Sequence, residues 1–161
     1  MPELFFDNRG YVGSVFRQDN KYQYAYNFVE DRCSVSKYGT VRGFHGDSKT
    51  WKWATCLYGE LYLIIYDLIN HSKKNCILSA KNGNSILIPP NTLNAHQCLS
   101  DNCLLFYKWD RYYALDKQWS VRYNDSSIAP DWPVEVTEVS ERDQNSPLLE
   151  EFLTGFRGRN G

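Results

Sequence analysis

Three residues of this sequence could carry out proton chemistry without a metal: His45, Lys52 and Tyr107. An imidazole can act as a general base, a phenol as a general acid, and an ammonium group can stabilise negative charge on oxygen. In a strand, Lys52 would share one face with the small residues Ala54 and Cys56, because alternate residues point the same way. Its amine is therefore expected to project into a cavity.

Each of these residues also has an ordinary structural interpretation. A lysine at a strand end commonly extends its amine to solvent, and a lone histidine such as His45 is often a hydrogen-bonded structural residue. Tyr107 shares a strand face with Leu105 and Trp109, which is typical of a core tyrosine. Taken one at a time, the residue types leave both interpretations open.

A metal centre is not predicted. Barrel metal sites commonly use two histidines one residue apart on a strand plus a carboxylate, but the sequence has only His45, His71 and His96. No histidine lies two positions after His45, and Asp47 is predicted to lie in a glycine-flanked turn. A metal-dependent barrel enzyme is therefore the less favoured alternative, and His71 is interpreted as a surface residue.

Composition narrows the class of protein further. The 161 residues carry a formal net charge of −1, so no basic surface for nucleic acid is indicated. No run approaches the roughly 20 apolar residues of a membrane helix, and the N-terminus lacks a signal-peptide pattern. The five cysteines include no C-x-x-C pair and are expected to be buried free thiols. We expect a single cytoplasmic domain over residues 1–161, without a membrane or nucleic-acid partner.

The elements that position these residues are predicted to be short strands. Turn signals recur about every ten residues, which is typical of an all-β sandwich or barrel. Near the C-terminus, Ser140–Asp143 predicts a short turn and Ser146–Phe152 a serine-capped helix with Pro147 at its first position. The predicted strands are Tyr11–Phe16, Thr40–Arg42, Trp51–Leu57, Leu61–Leu68, Cys76–Leu78, Ser85–Ile88 and Cys103–Trp109.

An ordered set of motifs resembles the dTDP-4-dehydrorhamnose 3,5-epimerase family. The match runs from about residue 5 to residue 150 in the family's order, and the ordered set is far more specific than any single motif. In chain order the motifs are Asp7–Tyr11, Ser34–His45, Lys52 with Tyr58–Leu61, Leu87–Pro90, Leu99–Asp101, Tyr107 with Tyr112–Ala114, Tyr123–Asp125, Asp131–Pro133 and Ser140–Leu149.

The resemblance implies a fold, an activity and an assembly. The fold would be a cupin-type β-barrel, or jelly roll, with short C-terminal helical segments. The activity would be epimerisation at C3, C5 or both of a nucleotide-diphospho-4-keto-6-deoxy sugar through an enolate. The reaction would use no metal and no nicotinamide cofactor, and the enzyme, an isomerase of deoxysugar and polysaccharide biosynthesis, would be a homodimer.

The resemblance also implies catalytic roles. His45 would remove the proton, and Asp143 would orient its ring and stabilise the imidazolium. Lys52 would hold the C4 oxygen as negative charge develops, and Tyr107 would protonate the carbon from the opposite face. These four positions match the family's motifs residue by residue.

Three further positions match family residues that contact substrate. Arg9 and Arg42 would contact the substrate or its diphosphate, a suitable task for a guanidinium group. Tyr113 would pack on the sugar or the nucleotide. Because the N-terminal segment commonly crosses between subunits in this family, Arg9 would serve the neighbouring site of the homodimer.

Other substrate-binding positions depart from the family's pattern. The family's second active-site histidine falls on Asn94, with His96 two positions further on, so either residue could make that contact. Glu30 and Arg32 stand where the family usually has Gln and Asn. The segment Arg42–Lys52 is similar to relatives that act on GDP-linked 4-keto-6-deoxyheptoses. The sugar, the nucleotide and the number of inverted carbons stay open, as does a non-catalytic nucleotide-sugar-binding cupin.

Overall fold

The computed structural model describes residues 4–17 and 26–157, and within them antiparallel β-structure dominates. The helical elements are a single 3₁₀ turn (Leu115–Lys117), α1 (Glu141–Asn145) and α2 (Leu149–Arg157). The strands are β1 (Leu4–Asp7), β2 (Gly10–Gly13), β3 (Glu30–Lys37), β4 (Thr40–Asp47), β5 (Lys52–Tyr58), β6 (Glu60–Asp67), β7 (Ser72–Ser79), β8 (Ser85–Ile88), β9 (Thr92–Cys98), β10 (Asn102–Trp109), β11 (Trp119–Ser120) and β12 (Glu138–Val139).

Two sheets form the body of the described structure. The first sheet has the strand order β3–β10–β5–β8, and the second has the order β11–β4–β9–β6–β7, with β12 pairing with β4. Leu105 and Ile88 of the first sheet pack in one apolar cluster with Leu61, Leu63 and Leu78 of the second. Because the two sheets bury a common core, the all-β, cupin-type barrel prediction is confirmed.

The longest apolar run of the sequence, Leu61–Tyr66, lies in strand β6, which is buried on both faces. Leu61, Leu63 and Ile65 point into the cluster between the sheets. The alternate residues, including Tyr62 and Ile64, pack in a second cluster on the opposite face, which the C-terminal segments cover. A strand buried on both faces has no polar alternation, so the run is apolar throughout.

Five strands are absent from the predicted set: the short strands β1, β11 and β12 and the longer strands β3 and β9. Strand β9 is buried along its whole length, yet it carries Asn94, His96 and Gln97, so it lacks the apolar alternation by which a strand is recognised. Strand β3 is also rich in polar and charged residues. Strand β4 is longer than its predicted core, Thr40–Arg42, and continues through Asp47.

The C-terminal helices differ slightly from prediction. Ser140 caps α1, its side chain accepting a hydrogen bond from the backbone N–H of Asp143. Ser146 does not open a helix but ends α1 in an extended conformation, because the residue before a proline is disfavoured in the helical region. Helix α2 therefore begins at Leu149.

Two further expectations concern the cysteines and the membrane. All five cysteines are free, but Cys33 on β3 is exposed and Cys76 on β7 is only half-buried, so burial is confirmed for the other three. Among the described residues, none of the helices has both the length and the apolar character needed to span a bilayer.

Candidate active site

One cavity of about 470 Å³ collects most of the predicted site residues. Both sheets and helix α1 contribute to its wall. Arg9 and Glu30 do not line it. The nine predicted residues that do are Arg32, Arg42, His45, Lys52, Asn94, His96, Tyr107, Tyr113 and Asp143.

A histidine–carboxylate pair forms where α1 packs against β4. Nε2 of His45 lies 2.6 Å from Oδ1 of Asp143, and the other carboxylate oxygen accepts a hydrogen bond from the backbone of Gly43 at 3.1 Å. Burial opposes ionisation of Asp143, but the hydrogen bond and charge of His45 outweigh it, so the pKa of Asp143 is lowered. An ionised carboxylate fixes the hydrogen on Nε2 and leaves Nδ1 of His45 available as a base.

Lys52 is buried in the same cavity, with 4% of its surface exposed. Its Nζ atom lies 3.4 Å from Oδ1 of Asn94 and 4.5 Å from the ring centre of Trp109. Burial lowers the pKa of Lys52 to about 8, the charge of Asp47 acts to raise it, and Arg32 lowers it further. The amine does not extend to solvent, so the surface interpretation of this lysine is wrong.

Tyr107 reaches the cavity from the opposite sheet to His45. It lies on β10, between Arg32 of β3 and Ala54 of β5. Burial raises the pKa of Tyr107 above its ordinary range, while the charge of Arg42 and a hydrogen bond with Asn94 act in the other direction. The phenol therefore keeps its proton at neutral pH and can donate it.

Asn94 and His96 both line the cavity but have different surroundings. Asn94 stands beside His45 in the β4–β9 register and is hydrogen-bonded to both Lys52 and Tyr107. Burial lowers the pKa of His96 to about 3, with a smaller contribution from the charge of Arg42. Of the two positions that the sequence left open, Asn94 is the one that contacts the lysine and the tyrosine, and His96 is a neutral imidazole.

Two arginines are held at the cavity wall. Arg42 donates to the Ser36 hydroxyl at 2.9 Å and to the backbone carbonyl of Val35 at 3.0 Å. The Arg32 guanidinium lies 4.0 Å from the ring centre of Tyr113. Both arginines are thus anchored with their charge at the cavity.

Glu30 does not line the cavity but holds two residues that do, Arg32 and Tyr113. One of its carboxylate oxygens accepts from Arg32 at 2.9 Å, and the other accepts from the backbone N–H of Tyr113 at 2.6 Å. The pKa of Glu30 is lowered, mainly by the hydrogen bond from the backbone N–H of Tyr113. Burial acts to raise this pKa, and Arg32 acts to lower it. Glu30 therefore clamps Arg32 against Tyr113.

Arg9 lies on the hairpin formed by β1 and β2. Its side chain is 86% exposed, and its guanidinium pairs with Asp7 at 2.6 Å. Within its own chain the structure does not bring Arg9 to the cavity.

Three residues near the lysine were not assigned to the site from the sequence. Asp47 was expected in a turn, but it ends β4 and its side chain is buried. Trp109 stacks on the amine of Lys52, and Gln118 donates to Asp47 at 3.2 Å. These contacts join separate strands and loops, so spacing along the chain gives no signal for them.

Across residues 4–17 and 26–157, no three His, Cys, Asp or Glu residues group together as a metal site requires. A reaction that needs no metal stays a prediction from the sequence.

The fold and the cavity define a cupin-type barrel with an acid–base site. The family model for dTDP-4-dehydrorhamnose 3,5-epimerase matches residues 1–151, and the chain belongs to that family of isomerases. The Salmonella typhimurium dTDP-4-dehydrorhamnose 3,5-epimerase is 29% identical to it, over 94% of this chain and 90% of that one.

Solved structures agree with this assignment. The dTDP-4-dehydrorhamnose 3,5-epimerase of Bacillus anthracis str. Ames, with TDP and PPi bound, is 30% identical with a TM-score of 0.85, over 92% of this chain and 91% of that one. The dTDP-6-deoxy-D-glucose-3,5-epimerase of Legionella pneumophila Philadelphia 1, in complex with dTDP-4-keto-L-rhamnose, is 28% identical with a TM-score of 0.84, over 92% and 85% of the two chains.

Proposed function

We propose that this protein inverts C3 and C5 of a nucleotide-diphospho-4-keto-6-deoxy sugar by removing and returning protons next to the ketone. The observation that carries the proposal is the placement of His45 and Tyr107. They belong to opposite sheets and line one cavity, and the buried Lys52 lines it from the sheet that carries Tyr107. Inversion needs a base on one face of the sugar ring, an acid on the other and a cation at the ketone oxygen.

The steps follow from these groups. His45 takes a proton from C3 or C5, and the electron pair of the broken C–H bond moves to the C4 oxygen, giving an enolate. The ammonium of Lys52 stabilises this oxyanion. When the ketone re-forms, Tyr107 donates its proton to the same carbon from the other face. Proton exchange with water then returns His45 to its neutral form and Tyr107 to its protonated form.

Unpartnered polar atoms support a polar ligand in this cavity. Among the described residues, three that line it carry a buried polar atom without a hydrogen-bond partner: Ser34 (Oγ), His96 (Nε2) and Trp109 (Nε1). Buried polar groups are normally paired, so hydroxyl or carbonyl groups of a sugar would satisfy them. Arg32 and Arg42 supply positive charge for a diphosphate.

The nucleotide and the sugar can be identified by a substrate panel. The purified protein would be incubated in deuterated water with dTDP- and GDP-linked 4-keto-6-deoxyhexoses and with the GDP-linked 4-keto-6-deoxyheptose. Deuterium at both C3 and C5, with inverted product, is the expected result, and deuterium at C3 alone would make the protein a C3 epimerase. Calorimetric binding without any exchange would contradict the epimerase and favour a nucleotide-sugar-binding cupin.

The same proposal includes a homodimer in which Arg9 serves the partner's site. The β1–β2 hairpin leaves Phe6 and Val12 exposed at 69% and 70%, and Val35 on β3 is 57% exposed. Apolar side chains at such exposure favour burial against a second copy. This would also give the exposed Arg9 a cavity to enter.

Mixed dimers test the shared site directly. A dimer of one Arg9→Ala chain and one His45→Asn chain would contain one intact site if Arg9 acts across the interface. Mixing the two inactive variants should therefore restore up to about a quarter of the wild-type activity per chain, because half of the chains enter mixed dimers and one of the two sites in each is intact. A monomer in light scattering, or no recovery on mixing, would contradict this assembly.

We place the reaction in the cytoplasm, where the five free cysteines would stay reduced. Fractionation of cells that produce the protein tests the location. Enrichment in an exported or membrane fraction would contradict it.

A further inference from the structure

Asp47 is a buried carboxylate in contact with the Lys52 amine. The Asp47 side chain and the Lys52 side chain are 7% and 5% exposed, and Oδ2 lies 4.0 Å from Nζ. Gln118 donates to the same Oδ2 at 3.2 Å. The other oxygen, Oδ1, accepts from the backbone N–H groups of Lys49 and Thr50 at 2.9 Å and 2.7 Å. The carboxylate is therefore fixed in place and cannot swing away from the lysine.

These contacts also keep Asp47 ionised. Burial alone would raise the pKa of Asp47, but the donors from Lys49 and Thr50 and the charge of Lys52 lower it overall. A carboxylate that accepts backbone hydrogen bonds is stable in its charged form even when it is buried.

Apart from Asp47, the groups that surround the Lys52 amine offer little to hold a positive charge. Arg32 of β3 acts on it as a like charge. Asn94 of β9 contributes one oxygen at 3.4 Å, Trp109 of β10 contributes a ring face, and the neighbour on β8, Ile88, is apolar. Among the described groups around the amine, Asp47 is the carboxylate that faces it. A lysine buried without a counter-charge readily becomes neutral.

We propose that Asp47 is a positioning residue that keeps the Lys52 amine protonated in the cavity, so that a cation stands ready for the enolate oxygen. This inference rests on the proposed function for its consequence in catalysis. It concerns a contact between β4 and β5 that stands apart from the His45–Asp143 pair.

The test uses Asp47→Asn in the full chain. Asparagine keeps the side-chain oxygen that accepts from Lys49 and Thr50 and removes the charge. Asp67→Asn is a matched control, because Oδ1 of Asp67 accepts from Ile69 and Asn70 in the same way at the end of β6, away from the cavity. Asp47→Ser is a second neutral variant that keeps a hydroxyl acceptor if the asparagine variant does not fold.

The pH dependence of kcat/KM distinguishes loss of the Asp47 charge from a structural effect of the substitution. In the wild type, activity should fall at alkaline pH as Lys52 loses its proton near its pKa of about 8. Without the Asp47 charge, this limb should move about one pH unit or more toward acid, so activity falls about fivefold or more at pH 8 but much less at pH 6. Asp67→Asn should keep the wild-type profile. An equal loss at every pH would mean a structural role and would overturn the proposal.

A titration that needs no substrate keeps this inference distinct from the proposed function. In protein labelled with ¹³C at lysine Cε, the Lys52 resonance is assigned by its loss in Lys52→Met. Its titration midpoint should fall by about one unit or more in Asp47→Asn and stay unchanged in Asp67→Asn. An unchanged midpoint in Asp47→Asn would refute the role of Asp47, whether or not any sugar is turned over. A lowered midpoint in a protein inactive on every sugar would leave this inference intact and refute only the epimerase.

Discussion

Nε2 of His45 and Oδ1 of Asp143 lie 2.6 Å apart although the residues are 98 positions apart in the chain. The contact depends on the cap of α1 by Ser140, which sets the start of the helix that carries Asp143. It also depends on the backbone of Gly43, which donates to the second carboxylate oxygen. The ring of His45 on β4 is therefore oriented by a carboxylate of helix α1.

Replacing this carboxylate should remove most of the activity without unfolding the protein. In Asp143→Asn, the ring of His45 loses its charged partner, and the imidazolium that forms on proton removal is no longer stabilised. We expect kcat to fall by about 10²- to 10⁴-fold, measured as the rate of deuterium incorporation into the keto sugar. Asp131→Asn, at an exposed ion pair with Lys73, is the control and should behave as wild type. Activity within threefold of wild type in Asp143→Asn would show that the pair is only structural.

Tyr107 should be needed for inversion but not for proton removal. In Tyr107→Phe the base and the lysine are intact, so the enolate still forms and can be reprotonated on the face from which the proton left. We expect retained deuterium exchange with the loss of inverted product, measured together by NMR of the sugar. Tyr112→Phe, at an exposed tyrosine of the neighbouring loop, should change neither. Parallel loss of exchange and product in Tyr107→Phe would contradict this division of roles.

His96 should make the protein sensitive to acid. The native state keeps this imidazole neutral down to a pKa of about 3, whereas the unfolded chain takes up the proton near the ordinary value of 6.5. Below about pH 6.5 the unfolded state thus binds more protons, and stability that is present at neutral pH is lost as the pH falls. From pH 7 to pH 5 this costs about 2 kcal/mol.

Urea unfolding at the two pH values measures this loss. The decrease in unfolding free energy should be about 2 kcal/mol smaller in His96→Asn than in wild type. In the control His71→Asn, in an exposed turn, the unfolding free energy should decrease between the two pH values by no less than in wild type. If His96→Asn and wild type lose the same free energy, His96 is not buried as a neutral group.

A pair of glycine substitutions tests the close approach of β4 and β9. A side chain at Gly46 would overlap the backbone carbonyl of Thr92 on β9, whereas Gly155 in α2 has open space around it. Gly46→Ala should lower the unfolding free energy by about 3 kcal/mol or more. Gly155→Ala should leave it unchanged or raise it by up to about 1 kcal/mol. A Gly46→Ala protein as stable as wild type would mean that the strands lie further apart.

Local patterns in the sequence predicted the parts of the fold that have apolar alternation. The alternation around Lys52 placed its side chain with Ala54 and Cys56, and β5 confirms that the lysine points to the interior. Strand β9 was not predicted because the face that it turns to the cavity is polar. Those polar residues belong to the site, and they replace the apolar residues by which a buried strand is recognised. The extent of the domain, residues 1–161, stays a prediction.

The contacts between side chains of the site could not be predicted from local sequence patterns. The contact of His45 with Asp143 follows from the family resemblance, because no spacing rule relates positions so far apart. The contact of Asp47 with Lys52 was missed, since Asp47 has the sequence features of a turn residue and its burial depends on the packing of β4 and Gln118 around it. Tertiary contacts of polar residues leave no periodic trace in a single sequence.

The most direct test of the account compares His45→Asn with His71→Asn in deuterated water, using the nucleotide keto sugar that the wild type turns over. The proposed function makes His45 the base for every proton removed, so His45→Asn should show at least about a thousandfold slower exchange at both C3 and C5. His71→Asn should match the wild type at both carbons. Exchange in His45→Asn at a rate close to that of wild type would contradict the account.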